Sequence, residues 1–336
     1  MSCKGFGICA AWIFLLLLAA CQQPGTEEVK LKYKQGFLVD TVVSPSEITM
    51  GISVRPAFPL RLDDRLVVFG SYDMVHIYSY PQLQYLHSQQ LSRYVSQEVV
   101  NGELFLEYQG KVDVYRLDKA DSLYQSRSFR VATVPYTTGR VQSLGEDEYI
   151  FPDNYDMNGL CEFHRVFPGT GHWSSGGQYP ETPERFKRLR DFKLAYAHIL
   201  AVRPDKTAFV VAYCNLRRIH IYNKKGQLLH ALQLDYSPGN NHLVEPKFES
   251  RLSHCSGVIA TDHYIYTVNP EQSMERAVPH GDILVLDWEG NLKARYRLDM
   301  YIDGIVVDEE RKMIVGCGDK GKGRGRQFFK LKLINE

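Results

Sequence analysis

The segment RIHIYNKKG, Arg218 to Gly226, has two near copies upstream, MVHIYSYPQ at Met74 to Gln82 and KVDVYRLDK at Lys111 to Lys119. Each is an apolar-polar-apolar-Tyr run followed by a polar turn, the pattern of a half-buried strand entering a hairpin. A strand rewritten at intervals of tens of residues belongs to a repeat architecture, whose units cannot bury their apolar faces alone and must stack on one another.

Aligning the chain on this strand extends the repeat. The clearest unit reads AHILAVRP, a turn at Asp205-Lys206, TAFVVAY, RIHIYN, a KKG turn and QLLHALQL. A second reads SGVIAT, Asp262-His263, YIYTVN, a long insertion, DILVLDW, an EGN turn and LKARYRL. Units turning at Asp63-Asp64 and Asn101-Gly102, and one built from RVQSLG, DEYIFPD, LCEFHRVF and HWSSGGQYP, precede them. The last unit, IDGIVVD, Glu309-Glu310, RKMIVGC and QFFKLKL, lacks a fourth strand. Gly36 to Val43, GFLVDTVV, precedes the first unit without belonging to it, and is the expected replacement. The expected fold is all-β: a six-bladed β-propeller of four-stranded antiparallel blades over residues 36–336, with the N-terminal strand closing the last blade and leaving no exposed edge. With the period of two, Val75 and Ile77 face one neighbouring blade and His76 and Tyr78 the other. His76, Asp113 and His220, equivalent third-strand positions, are read as inter-blade packing.

The chain opens MSCKGFGICAAWIFLLLLAACQQPGTEE, with one basic residue, Lys4, and an apolar run from Ile8 to Ala20. The run is about a dozen residues, short of the roughly twenty a membrane-spanning helix needs, and residues 1–20 read as an export signal. Leu18-Ala19-Ala20-Cys21 resembles the lipobox of bacterial lipoproteins, which implies that Cys21 is the acylated first mature residue and residues 21–35 are its tether. Two or more acyl chains give a lasting membrane anchor. Gln22 does not resemble an inner-membrane retention signal, so the expected address is the cell envelope, at the outer membrane. Removing residues 1–20 removes Lys4 alone, so 40 basic and 39 acidic side chains become 39 and 39, and net charge +1 becomes zero. That balance carries no nucleic-acid signal. Cys161, Cys214, Cys255 and Cys317 lack zinc-ligand spacing and read as buried thiols.

Together, the lipobox, the six units and the pattern VRPDKT, VVAY, IHIYNKKG resemble the TolB-like six-bladed β-propeller lipoproteins of the Bacteroides type. The resemblance implies an exported, membrane-tethered propeller and brings with it no catalytic residue.

First-to-second and third-to-fourth strand connections lie on one face of a propeller, and here they are short; the opposite face collects the long ones: Thr170 to Lys193, Asp235 to Ser253, Asn269 to Gly281 and Cys317 to Gln327. Long loops in compact domains are commonly functional. In the first, ETPERFKRLRDFK reads as a helix capped by Thr182, with Phe186, Leu189 and Phe192 inward and Arg185, Lys187, Arg188 and Arg190 outward. Arg217 and Arg218, with Lys320, Lys322, Arg324 and Arg326, add a basic mouth suited to an anionic glycan or peptide, or an envelope protein. Tyr155, Trp173, Tyr179, Tyr213, Asn215 and Asn269 would supply flat faces and amides. The ligand-binding candidates are therefore Tyr155, Trp173, Tyr213, Asn215, Arg217, Arg218, Lys320, Lys322 and Arg324, in a non-catalytic binding or scaffold module that needs no cofactor.

The alternative is a metal-dependent hydrolase of the lactonase type, with Glu98, His198, His254 and Asp303, beside Arg140, at a central channel. A divalent metal enters one further reading, because Asn154, Asp156, Asn158 and Gly159 have the spacing of a calcium loop's opening residues. Position twelve, where that loop needs a bidentate Glu, is Arg165. No G-x-S-x-G, H-E-x-x-H or P-loop motif occurs.

Overall fold

The computed structural model describes residues 28–32, 41–42, 46–49 and 58–333, the last span excepting 70–72, 93, 95, 101, 132–139, 154–159, 181–185, 187, 236–252, 271–280 and 320–325. Signal residues 1–20, Cys21, Tyr155, Lys320, Lys322, Arg324, Thr182 and the Asn154 to Gly159 loop lie outside the described residues.

Six antiparallel four-stranded units form six blades. Blade one is β4 to β7 (Phe58–Leu62, Arg65–Phe69, Met74–Ser79, Tyr85–Gln90) and blade two β8 to β11 (Ser96–Val100, Glu103–Tyr108, Lys111–Leu117, Leu123–Arg130). Blade three is β12 to β15 (Gln142–Ser143, Tyr149–Pro152, Phe163–Phe167, His172–Gly176) and blade four β16 to β19 (His198–Val202, Ala208–Tyr213, Arg218–Asn223, Leu228–Asp235). Blade five is β20 to β23 (Gly257–Ala260, Tyr264–Asn269, Gly281–Asp287, Leu292–Leu298). Blade six takes β24 to β26 (Tyr301–Asp308, Met313–Asp319, Arg326–Lys332) and, as its fourth strand, β3 (Ser46–Thr49), which pairs antiparallel with β26 through Gln327↔Thr49 and Lys330↔Ser46.

The N-terminal segment thus closes the ring, but the closing strand is Ser46–Thr49 and not the expected Gly36 to Val43. Of that expected strand, Thr41–Val42 form β2, which runs parallel along β23 at the edge of blade five. Upstream, β1 (Glu28–Lys32) runs parallel along β19 of blade four, inside the segment expected as a tether. Position before the first unit does not single out the closing strand, and outer strands give little apolar signal: in β11 only Leu123 is buried. Three N-terminal segments therefore lie in order on the outer edges of blades four, five and six, where they occupy backbone groups that would otherwise be open edges.

Alternation within each strand fills the gaps between blades. Val75 and Ile77 pack on Leu104 and Leu106 of blade two, while Tyr78 packs on Val315 and Phe328 of blade six. In blade four, Val211 joins Phe163 and Ile150 on the blade-three side, and Val210 and Ala212 join Ile265 and Leu284 on the blade-five side. Two more clusters repeat the arrangement, so each of the six interfaces has an apolar cluster. The short connections are tight, and Asp63 and Lys206 reach φ of 54° and 61° in them, as hairpin turns that follow strand twist require. The four thiols are free, with Cys161, Cys255 and Cys317 buried.

Blade six is held to blade one by a charged contact. Asp308, 2% exposed, receives Arg61 Nη1 at 3.0 Å, Arg311 Nη1 at 2.9 Å, the Arg311 backbone N–H at 3.0 Å and the Tyr80 hydroxyl at 3.1 Å. Burial alone would raise this carboxyl, but Arg311, Arg61 and Tyr80 outweigh it and hold it below the ordinary carboxylate range. A folded pKa below the unfolded one contributes stability that is complete above the unfolded value and is lost as pH falls through the folded value. Hydrogen bonds to a charged group contribute about 1.5–3 kcal/mol, so Asp308→Asn should lower stability by about 2–3 kcal/mol near neutral pH. Urea unfolding of both proteins should show that difference shrinking toward zero below pH about 3.

Candidate functional site

The long-loop side of blades three to five carries the richest side-chain chemistry. At its centre is Glu162, just ahead of β14 and fully buried. Its carboxylate accepts hydrogen bonds from the hydroxyls of Tyr213 and Tyr222, from His220 Nδ1 at 2.8 Å and from the Gln178 backbone N–H at 3.1 Å. Burial would raise this carboxyl, but His220, then His198 and Tyr213, outweigh that cost and keep it below its ordinary value. The backbone at Gly177 makes room for it. With φ of +77°, Gly177 would place a Cβ 2.5 Å from Glu162 Oε2, so only glycine fits.

Beside Glu162 sits a second buried group. Asp153, 1% exposed, follows β13, and Lys193, also 1% exposed, reaches it from α1 (Leu189–Ala195), with Nζ 2.9 and 3.0 Å from the two carboxylate oxygens. Tyr179 donates to the Asp153 carbonyl at 2.8 Å. Cys161 and His164 complete this cluster. Burial, with Asp153 adding to it, pushes the Cys161 thiol up to about 12, opposite to the depressed value a nucleophilic thiol needs.

The helix differs from its expected form. It starts at Leu189 with Arg188 as N-cap, Arg188 pairs with Asp191 at 2.7 Å, and Leu189 is 40% exposed instead of inward. Phe192, Lys193 and Tyr196 form the buried face, with Phe186 packed on Phe192 at a ring separation of 5.4 Å. A Lys reads as a surface residue in sequence, and only a partner distant in the chain, Asp153, draws it inside.

Of the five expected binding side chains among the described residues, Tyr213, Asn215 and Trp173 make contacts within the fold. Tyr213 is fully buried on Glu162. Asn215 donates Nδ2 to the Leu194 and Ala195 carbonyls at 2.9 and 3.2 Å, and so caps the end of α1. Trp173 lies in β15, directly after the hairpin turn from β14 and so toward the short-turn face, with its ring 5.6 Å from Phe151. The expected loop from Thr170 to Lys193 thus contains a strand and a helix. Arg217 and Arg218 do converge. With Tyr213, Leu216, His254 and Asn269 they line a small cleft between blades four and five, with room for about one water.

Glu98, His198, His254 and Asp303 are not brought together. Among the described residues, the single group of three potential ligands with donor atoms within 4.8 Å of one another is Asp153, Cys161 and His164. His198 turns Nδ1 to the Tyr196 carbonyl at 2.9 Å and Nε2 to the Glu162 carbonyl at 2.5 Å, so both nitrogens are engaged by backbone. Glu98 is partly exposed, and its carboxyl is raised by burial, against the pull of Arg140. Arg165, at position twelve of the calcium-like spacing, pairs with Glu148 through Nε at 2.6 Å.

Removing the Glu162 carboxylate orphans two tyrosine hydroxyls and an imidazole in a dry interface. Breaking a buried charged network from one side costs about 3–5 kcal/mol, whereas removing one neutral hydroxyl costs about 1 kcal/mol. Glu162→Ala should accordingly lower the urea midpoint several-fold more than Tyr222→Phe, and equal shifts would show that the network is not a unit.

The TolB-like 6-blade propeller-like family matches residues 63–310. No curated protein sequence matches the chain. Among solved structures, it is similar to U3-55K (9% identity over 80% of this chain and 77% of that chain, TM-score 0.47) and to BamB from Moraxella catarrhalis (10%, 83% and 70%, 0.40). It is also similar to the beta-propeller domain of Cps50 (Swd1) from Myceliophteria thermophila (13% identity, 84% and 97% coverage, TM-score 0.45). Likenesses this distant carry no functional argument. With a match across most of the sequence and six four-stranded blades in the structure, the chain belongs to the TolB-like 6-blade propeller-like family.

Proposed function

We propose that this chain is an exported, lipid-anchored propeller of the Bacteroides lipoprotein type. In this reading it works as a non-catalytic binding or scaffold module at the outer membrane, and its long-loop face engages an anionic glycan or an acidic segment of an envelope protein. The observation that carries the reading is Arg218, partly exposed at the cleft between blades four and five with Arg217 buried behind it, on a body whose expected mature form has no net charge. Positive charge concentrated at one mouth of a neutral ring attracts and orients an anion. Behind Arg218, Asn269 and His254 are buried, with Asn269 Nδ2 donating to Thr267, so a ligand would meet the rim at Arg218.

The anchor would suit this face. β1 runs parallel with β19, from the short-turn side toward the long-loop side. A lipid on Cys21 would precede Glu28 by seven residues, a reach of about 25 Å. The short-turn face would then sit near the membrane and the cleft away from it.

Heparin is the probe for the cleft. Arg218→Glu should weaken heparin binding at least about tenfold, a difference of about 1.4 kcal/mol, in a variant that circular dichroism shows to be folded, since Arg218 is partly exposed. Binding that survives the reversal would remove the cleft from the proposal. For the anchor, cells fed labelled palmitate should label the wild-type protein and not Cys21→Ser. Label retained in that variant would place the acyl chain elsewhere.

A further inference from the structure

Asp153, Cys161 and His164 form a compact triangle. Cys161 Sγ lies 3.6 Å from Asp153 Oδ2 and 3.6 Å from His164 Nε2, and Nε2 lies 3.4 Å from Asp153 Oδ1. Zinc binds thiolate at about 2.3 Å and imidazole or carboxylate at about 2.0–2.2 Å. Donors at those lengths around a tetrahedral ion stand about 3.3–3.6 Å apart; the Sγ–Nε2 distance matches that spacing, the two Asp153 distances fall on different carboxylate oxygens, and one donor atom of each residue lies within 4.8 Å of the others. We infer that Asp153, Cys161 and His164 are the three protein ligands of a site for a zinc-type divalent ion, with the fourth position left to water, buried in blade three near its junction with blade four.

The surroundings fit the assignment. His164 Nδ1 is 2.9 Å from Ser175 Oγ. Metal-bound imidazoles characteristically donate their second nitrogen in this way, which fixes the tautomer and aims the other nitrogen at the ion. Each carboxylate oxygen has two lone pairs, so Lys193, which takes one on each oxygen of Asp153, leaves another for the metal. A thiolate-imidazole-carboxylate set selects a borderline ion such as Zn²⁺ over calcium, which requires oxygen donors. On loading, Sγ exchanges its proton for the metal, and the proton passes to solvent. The three ligands are 1%, 7% and 3% exposed, so the ion would form part of the packed structure. Asp153 and Cys161 also bracket residues 154–160, so one ion would clamp both ends of that connection on the long-loop face.

The test uses the full chain, stripped with chelator and titrated with Co²⁺. The expected result is one equivalent bound, with tetrahedral d–d absorption and a thiolate-to-cobalt charge-transfer band in the near ultraviolet, both erased by one equivalent of Zn²⁺. Cys161→Ser should abolish the charge-transfer band and weaken binding at least tenfold, while Cys214→Ser, at a thiol outside the triangle, keeps both. If Cys161→Ser does not fold, the wild-type titration still decides. The inference fails if the wild type takes up no cobalt above a buffer control, if bound cobalt lacks the thiolate band, or if the band survives in folded Cys161→Ser.

Discussion

Every blade of this protein buries both of its faces. Strand side chains alternate with a period of two, and the two sets of each inner strand reach opposite neighbours, as Val210 and Val211 do toward blades five and three. A blade flanked on one side only would leave an apolar face in water. Ring closure is therefore a condition for stability, and the rest of the architecture depends on it. The antiparallel pairing of Ser46–Thr49 with β26 supplies the backbone half of the closure. The Asp308 contact with Arg61, Tyr80 and Arg311 supplies a charged half, which adds direction to an apolar interface that would otherwise tolerate sliding.

The interface between blades three and four departs from this apolar rule. It buries two carboxylates, and each brings its own partners: tyrosines and His220 for Glu162, Lys193 for Asp153. Buried charges in such a setting are stable only when every one is paired. This interface also lies beneath the face that carries α1 and the Arg217–Arg218 cleft. Paired polar contacts there join blade three to α1 and to blade four.

The architecture was largely legible in the sequence. Repeated strands with hairpin turns such as Asp205-Lys206 gave the blade count and strand order, and the period of two placed Val75 and Ile77 on one side of their blade and Tyr78 on the other, as they are. The candidate site was much less legible. Tyr213 and Asn215 look like rim residues because loop-adjacent aromatics and amides often bind ligands, yet one is spent on Glu162 and the other on the end of a helix. One signal was available: Cys161-x-x-His164 with Asp153 shortly before it in a segment otherwise noted for its calcium-like spacing.

What the sequence determined by itself is whatever local chemistry encodes: strand periodicity, turn residues that accept positive φ, and the number of units. Tertiary structure alone decided which N-terminal segment closes the ring, because an outer strand is chosen by reach and backbone pairing, with little help from hydrophobicity. It also decided the fate of Lys193, Glu162 and Asp153. Burial of a charge depends on partners far away in the chain, and pairs such as Lys193 with Asp153 exist only after two blades and a helix have met.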